Sequence, residues 1–130
     1  MDENSLDVVL VDDHEPLLKV LALLAKQHGL NPIPFTSGNK AMEYLSGRST
    51  PLKGALVDMR LPDELDSSEQ IYNLIASKRH TTNFYFMTGH VSVHDEEVLV
   101  RTQAPHIIKS GDAFDQYLRE ITCQENGNAN

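Results

Sequence analysis

At 130 residues, with 40% hydrophobic content spread along its length, the chain is sized for one domain with a real core. Nineteen acidic against eleven basic residues give a formal net charge of −8, which disfavours non-specific nucleic-acid binding. No apolar run approaches the ~20 residues that span a bilayer, and the acidic start MDENSLD is unlike a signal peptide. A single cysteine, Cys123, excludes an internal disulfide and suits a reducing compartment, so a soluble cytoplasmic domain is expected.

The first strand is predicted over Asp7–Val11, where Val8, Val9, Leu10 and Val11 are too continuously apolar for one face to lie in water. Residues 15–28 carry apolar side chains at Leu17, Leu18, Leu21, Leu24 and Ala25, a helical stripe with Pro16 in the first turn and Gly29 as the stop. PIPFT, residues 32–36, reads as a strand whose two prolines lack N–H donors, which places it at a sheet edge. Ser37 can cap a helix over residues 39–45, closed by Gly47. GALVD, residues 54–58, is a second buried run ending on an aspartate; the loop MRLPDELD follows. SSEQ, starting at Ser67, fits a capping box for a helix to about Lys78. NFYFMT, residues 83–88, is the fourth strand, and residues 91–103 form a helix of modest propensity because of its valines. HIIK, residues 106–109, is the fifth strand, and residues 112–122 the last helix. The domain is therefore expected over residues 1–122, with residues 123–130, CQENGNAN, as a polar tail or linker.

Five strands alternating with five helices imply an α/β fold of flavodoxin-like type, a single doubly wound (βα)5 domain with a five-stranded parallel sheet. An outermost second strand suits the order 2-1-3-4-5, and ligands of such sheets bind beyond the carboxyl ends of the strands. The residues predicted there are Asp12 and Asp13, Asp58, Thr88 and Lys109. Alone, Asp12 and Asp13 fit a solvated strand end or a helix cap better than a site. Beside the other three the balance reverses. Clustered carboxylates repel unless a cation neutralises them, and hard oxygen ligands suit Mg2+. Thr88 and Lys109 add a neutral donor and a positive charge, the needs of a phosphoryl group.

LVDD, LVDMRLP, FMTG and IIK, in this order and at these strand ends, resemble the receiver domain of two-component response regulators over residues 6–121. The resemblance implies that Asp58 is the phosphoacceptor. It also implies that Asp12, Asp13 and Asp58 hold Mg2+ together with the backbone carbonyl of Met59, while Thr88 and Lys109 contact the aspartyl phosphate. The phosphoryl group would come from a sensor histidine kinase, a histidine phosphotransfer protein or a small phosphodonor. Its arrival would draw Thr88 inward and switch the surface of the fourth helix, fifth strand and fifth helix toward an output domain or downstream protein. Homodimerisation through that face is compatible with the resemblance. The domain would not be a turnover enzyme, beyond Mg2+-dependent self-phosphorylation and slow autodephosphorylation, and would touch neither nucleic acid nor membrane directly.

The chain departs from the family pattern in several places. His106 stands where an aromatic switch residue is usual, and a swinging, pH-sensitive imidazole and an idle one are both open readings. Ser110 follows the lysine where a proline after a cis bond is usual. Because a cis bond before a non-proline residue costs ~2.5–4 kcal/mol, either a trans bond with a displaced loop or a strained cis bond is expected. The loop PDELDSSE lacks the glycine-bearing turn of relatives and is slightly longer. Arg60 and His90 occupy positions where relatives tune the phosphate lifetime, in a direction the sequence does not give. HVSVH spaces His90 and His94 for chelation on a helix, but with no third ligand near, exposed histidines are expected. HDEE, residues 94–97, is expected on a solvated helix face, and Cys123 as a packed or idle thiol.

Three rival functions rank lower. A haloacid-dehalogenase-like phosphohydrolase would need a DxD motif after the first strand and a cap insertion. A flavin or nucleotide module would need GxGxxG or GxxxxGK[ST], and neither occurs. A degenerate receiver, working as a phosphorylation-independent interaction domain, is the alternative that Ser110 and the unusual loop keep open.

Overall fold

A computed structural model of the chain describes residues 5–62 and 67–127. Strands and helices alternate strictly: β1 (Asp7–Val11), α1 (Glu15–Gln27), β2 (Asn31–Phe35), α2 (Gly38–Gly47), β3 (Gly54–Asp58), α3 (Ser67–Lys78), β4 (Phe84–Thr88), α4 (Val93–Thr102), β5 (His106–Ile108) and α5 (Gly111–Gly127). The strands pair in parallel in the predicted order β2-β1-β3-β4-β5. At the β2 edge, Asn31 N–H donates to Leu6 O at 2.8 Å and Phe35 O accepts from Asp12 N–H at 3.1 Å. The odd-numbered residues thus bond β1, and Pro32 and Pro34 fall on the open side, where a missing donor costs no ladder bond.

Side chains alternate along each strand, so the central strands feed two cores. Val9, Val11, Ala55, Val57 and Phe86 pack with Leu45 of α2, Ile71 and Ile75 of α3 and Val98 of α4. Val8, Leu10, Leu56 and Met87 pack with Leu18, Leu21 and Ala25 of α1 and with Phe114, Tyr117 and Leu118 of α5. Coverage on both faces is why β1 and β3 read as unbroken apolar runs. Gly54 is required by close approach: the Tyr117 hydroxyl sits where a Cβ would be.

Several element ends differ from expectation. Ser37 caps α2 as predicted, its Oγ accepting Lys40 N–H at 3.3 Å. Ser67 opens no capping box; it is already helical, and its buried hydroxyl has no partner among the described residues. α4 starts at Val93 because Ser92 and Asp95 cap it reciprocally, Ser92 Oγ accepting Asp95 N–H at 3.1 Å and Asp95 Oδ2 accepting Ser92 N–H at 3.0 Å. α5 continues to Gly127 instead of ending near Thr122, since Gln and Glu after Cys123 are good helix formers. The free thiol of Cys123 is exposed. No described peptide bond is cis, so Lys109–Ser110 takes the trans form. The core of the unusual loop, residues 63–66, lies outside the described residues, as do the first four residues and residues 128–130. No helix among the described residues is long and apolar enough to cross a membrane.

Candidate functional site

β1 and β3 are hydrogen-bonded neighbours, so Asp12, just beyond β1, and Asp58, closing β3, are delivered to the same edge of the sheet. Asp12 is 0% and Asp58 4% exposed, while Asp13 is open to solvent. Each of the three offers a carboxylate oxygen, and these oxygens lie within 4.8 Å of one another. Lys109 follows β5, its N–H donating to Thr88 O at 2.8 Å. Its Nζ stands 2.9 Å from Asp12 Oδ2 and 3.3 Å from Asp58 Oδ2. A trans bond to Ser110 thus leaves the ammonium in reach of both buried acids.

Asp12 has two tasks. Its Oδ1 accepts His14 N–H at 2.8 Å and turns the chain into α1. Its Oδ2 has the Lys109 charge beside it but no aligned hydrogen bond, so a buried carboxylate oxygen keeps unused lone-pair capacity. On Asp58, Oδ1 accepts Arg60 N–H at 3.1 Å. Burial pushes the Asp58 carboxyl up to about 6; Arg60 N–H and Lys109 oppose this, and the Asp12 charge adds to it. For Lys109 burial works against the charge, but Asp12 and Asp58 outweigh it and hold the ammonium more firmly than usual.

Three carboxylates against one ammonium leave excess negative charge in a mostly buried corner. A divalent cation with oxygen preference relieves that excess, and Asp12 Oδ2, faced by Lys109 alone, has lone pairs left for one. The Met59 carbonyl accepts Ser68 Oγ–H at 3.2 Å, which uses one of its two lone pairs.

Thr88 is buried, and its hydroxyl bonds toward α4: it donates to His90 O at 2.8 Å and lies 3.4 Å from Asp95 Oδ2. Arg60 and His90 meet through backbone, Arg60 Nη2 donating to His90 O at 3.0 Å and to Asp95 Oδ2 at 3.1 Å. The His90 ring is exposed. His90 precedes α4 while His94 lies within it, so no helical chelating pair exists; His94 stands 3.7 Å from Glu97. His106 is exposed at the start of β5.

One expectation is corrected. Asp95 of HDEE is not on a solvated face; it is 2% exposed, because Arg60, Thr88 and Ser92 surround its carboxylate. Sequence reasoning missed Asp95 and Ser68. The Ser92–Asp95 spacing, that of a capping box just before Val98, is the signal that carries the first. Nothing local signals the bond from Ser68 to Met59.

A groove of about 740 Å3, lined by Tyr72, Ile75 and Phe84 among others, opens at the amino end of β4. It holds none of the clustered acids.

No family model and no curated protein matches the chain. Among solved structures it is similar to a CheY-like response regulator receiver domain from Methanospirillum hungatei JF-1, at 17% identity and TM-score 0.74, over 93% of this chain and 97% of that one. It is also similar to the N-terminal domain of a response regulator/sensory box/GGDEF 3-domain protein from Carboxydothermus hydrogenoformans, at 17% identity and TM-score 0.74, over 95% and 99% of the two chains. A third match is a response regulator from Burkholderia pseudomallei with a phosphorylated aspartic acid, a calcium ion and citrate, at 14% identity and TM-score 0.69, over 95% and 72%. The chain has the fold of the response-regulator receiver domains, with Asp12, Asp13, Asp58 and Lys109 gathered at the carboxyl edge of that sheet.

Proposed function

We propose that the chain is a phosphoacceptor receiver domain of a two-component response regulator and takes a phosphoryl group onto Asp58. The observation that carries this reading is the meeting of three carboxylate oxygens within 4.8 Å with a lysine 2.9 and 3.3 Å from two of those acids. The phosphorylated aspartic acid named for the Burkholderia structure of the same fold supports it.

Asp12, Asp13, Asp58 and the Met59 carbonyl would hold Mg2+. Bound there, the ion supplies positive charge to the oxygens of the transferring group. Asp58 forms the O–P bond as the P–N bond of a phosphohistidine breaks, on a sensor histidine kinase or a phosphotransfer protein. The electron pair leaves on the imidazole nitrogen. Lys109 offers its ammonium to the same oxygens, and positioning with electrostatics does most of the work. Thr88 then exchanges its bond to His90 O for one to the phosphoryl group, and the surface of α4, β5 and α5 changes with it. Val93, Val100 and Ile108 are exposed on α4 and β5 and give that surface apolar area for an output domain, a downstream protein or a second copy. The three-domain protein named for the Carboxydothermus structure supports a joined output segment. In this reading the domain signals rather than turning over substrate, self-phosphorylation and slow autodephosphorylation aside, and its setting is cytoplasmic.

The test is incubation with acetyl phosphate and Mg2+, followed by intact mass. A phosphoryl adduct is expected on the wild-type chain and none on Asp58→Asn. No adduct, together with no Mg2+-dependent response to beryllofluoride, overturns the reading in favour of a degenerate receiver that binds partners without phosphate.

A further inference from the structure

Asp95 is a charged residue buried to 2% exposure with no part in the chemistry above. A buried carboxylate needs partners, and one of its oxygens, Oδ2, takes two donors from separate segments. Arg60 Nη2 approaches at 3.1 Å from the loop after β3 and Ser92 N–H at 3.0 Å from the cap of α4, while Thr88 Oγ1, its hydrogen given to His90 O, lies 3.4 Å away at the end of β4. Burial works against its charge, but the bonds from Ser92 and Arg60 hold the carboxyl below its usual range.

Arg60 and Thr88 both adjoin Asp58. Arg60 N–H is on Asp58 Oδ1 at 3.1 Å, and β4, which ends in Thr88, pairs with β3. A phosphoryl group on Asp58 presents anionic oxygens that compete for both the hydroxyl and the guanidinium. We propose that Asp95 is a rival acceptor of this site: it holds the Arg60 guanidinium on α4 in the unmodified chain, beside the His90 carbonyl that takes the Thr88 hydrogen, so that a phosphoryl group must draw Arg60 from a carboxylate anchored in that helix. The inference rests on the phosphoacceptor reading of Asp58. Asp95 is a positioning residue, since it touches no reacting atom. The same carboxylate closes the Ser92–Asp95 cap, so the acceptor that grips Arg60 is fixed to the first turn of α4.

Asp95→Asn separates this role from simple capping. An Asn oxygen still accepts Ser92 N–H, but it lacks the charge that grips Arg60. Ser92→Ala breaks half of the cap and leaves the Arg60 and Thr88 bonds in place. With Mg2+ present, Asp95→Asn should bind beryllofluoride about two- to fivefold more tightly than the wild type, the range for losing an ion pair whose arginine is half exposed. Ser92→Ala should not. In the absence of beryllofluoride, NMR should show faster hydrogen exchange of the Arg60 guanidinium in Asp95→Asn only. Asp95→Ser serves as a second variant with the same expected direction should Asp95→Asn fold poorly. Equal or weaker binding by Asp95→Asn, or equal tightening in Ser92→Ala, overturns the proposal. A wild-type chain that takes up neither phosphoryl group nor beryllofluoride refutes the phosphoacceptor reading instead. In that case the grip on Arg60 stands or falls on its exchange rate alone, and an unchanged rate in Asp95→Asn refutes it as well.

Discussion

Replacing Asp58 by asparagine should stabilise the metal-free protein, and by more as the pH rises. Burial raises the Asp58 carboxyl from 3.8 to about 6, with the Asp12 charge adding to the effect. Across that window the native state keeps a proton that the unfolded chain has released, so stability falls as pH increases and the loss is complete above the folded value. At 1.36 kcal/mol per pKa unit the cost approaches about 3 kcal/mol. Asparagine has no proton to exchange. The stability difference between Asp58→Asn and the wild type should therefore grow by about 2–2.5 kcal/mol between about pH 4 and about pH 7.5. Lys109 loses one partner in the variant but keeps Asp12 at 2.9 Å, which contributes an offset and not a slope. Urea denaturation in EDTA at both pH values reads the difference. Added Mg2+ should then stabilise the wild type and leave Asp58→Asn nearly unmoved, because only the full set of acids binds the ion well. A difference that stays flat or shrinks with rising pH would refute the reasoning, since it would mean that Lys109 already satisfies the buried charge.

Tyr117→Phe removes a buried hydroxyl that donates to Asn83 O at 2.7 Å and lies 3.2 Å from Ala55 O, and should cost about 1–1.5 kcal/mol in the same assay. Gly54→Ala should cost about 1–3 kcal/mol because its Cβ meets that hydroxyl, and the double variant with Tyr117→Phe should cost less than the sum of the two. Arg48→Met breaks a pair with Asp7 at 2.9 Å in which the arginine side chain is only 8% exposed, with an expected loss of about 3 kcal/mol. Burial pushes the Asp7 carboxyl up, but Asn31 and Arg48 bring it below the usual range. Its contribution is full above the ordinary carboxylate pKa and fades as pH falls through the folded value, so Arg48→Met should lose less stability on acidification than the wild type.

The alternation of strands and helices, the edge position of β2 and the gathering of Asp12, Asp58, Thr88 and Lys109 at one end of the sheet were all legible in the sequence. The reason is local: a strand covered on both faces must be apolar throughout, and prolines exclude an inner strand. Once the order is known, a residue that closes a strand has its place fixed in space. Helix ends were less legible, since α5 runs on through Gln124 and Glu125, polar residues whose helix propensity is as good as that of the turns before them. What only the tertiary structure decided is where the polar side chains near that edge aim. Asp95 looks solvated from its neighbours in the chain, and it is buried because Arg60, 35 positions away, and Thr88, seven positions away, converge on it. The Thr88 hydroxyl bonds toward α4, and Ser68 takes up part of the Met59 carbonyl, for the same reason. A backbone pattern determines which end of a sheet a residue reaches, but the direction of a hydroxyl or a guanidinium depends on which acceptors distant segments bring within about 3 Å of it.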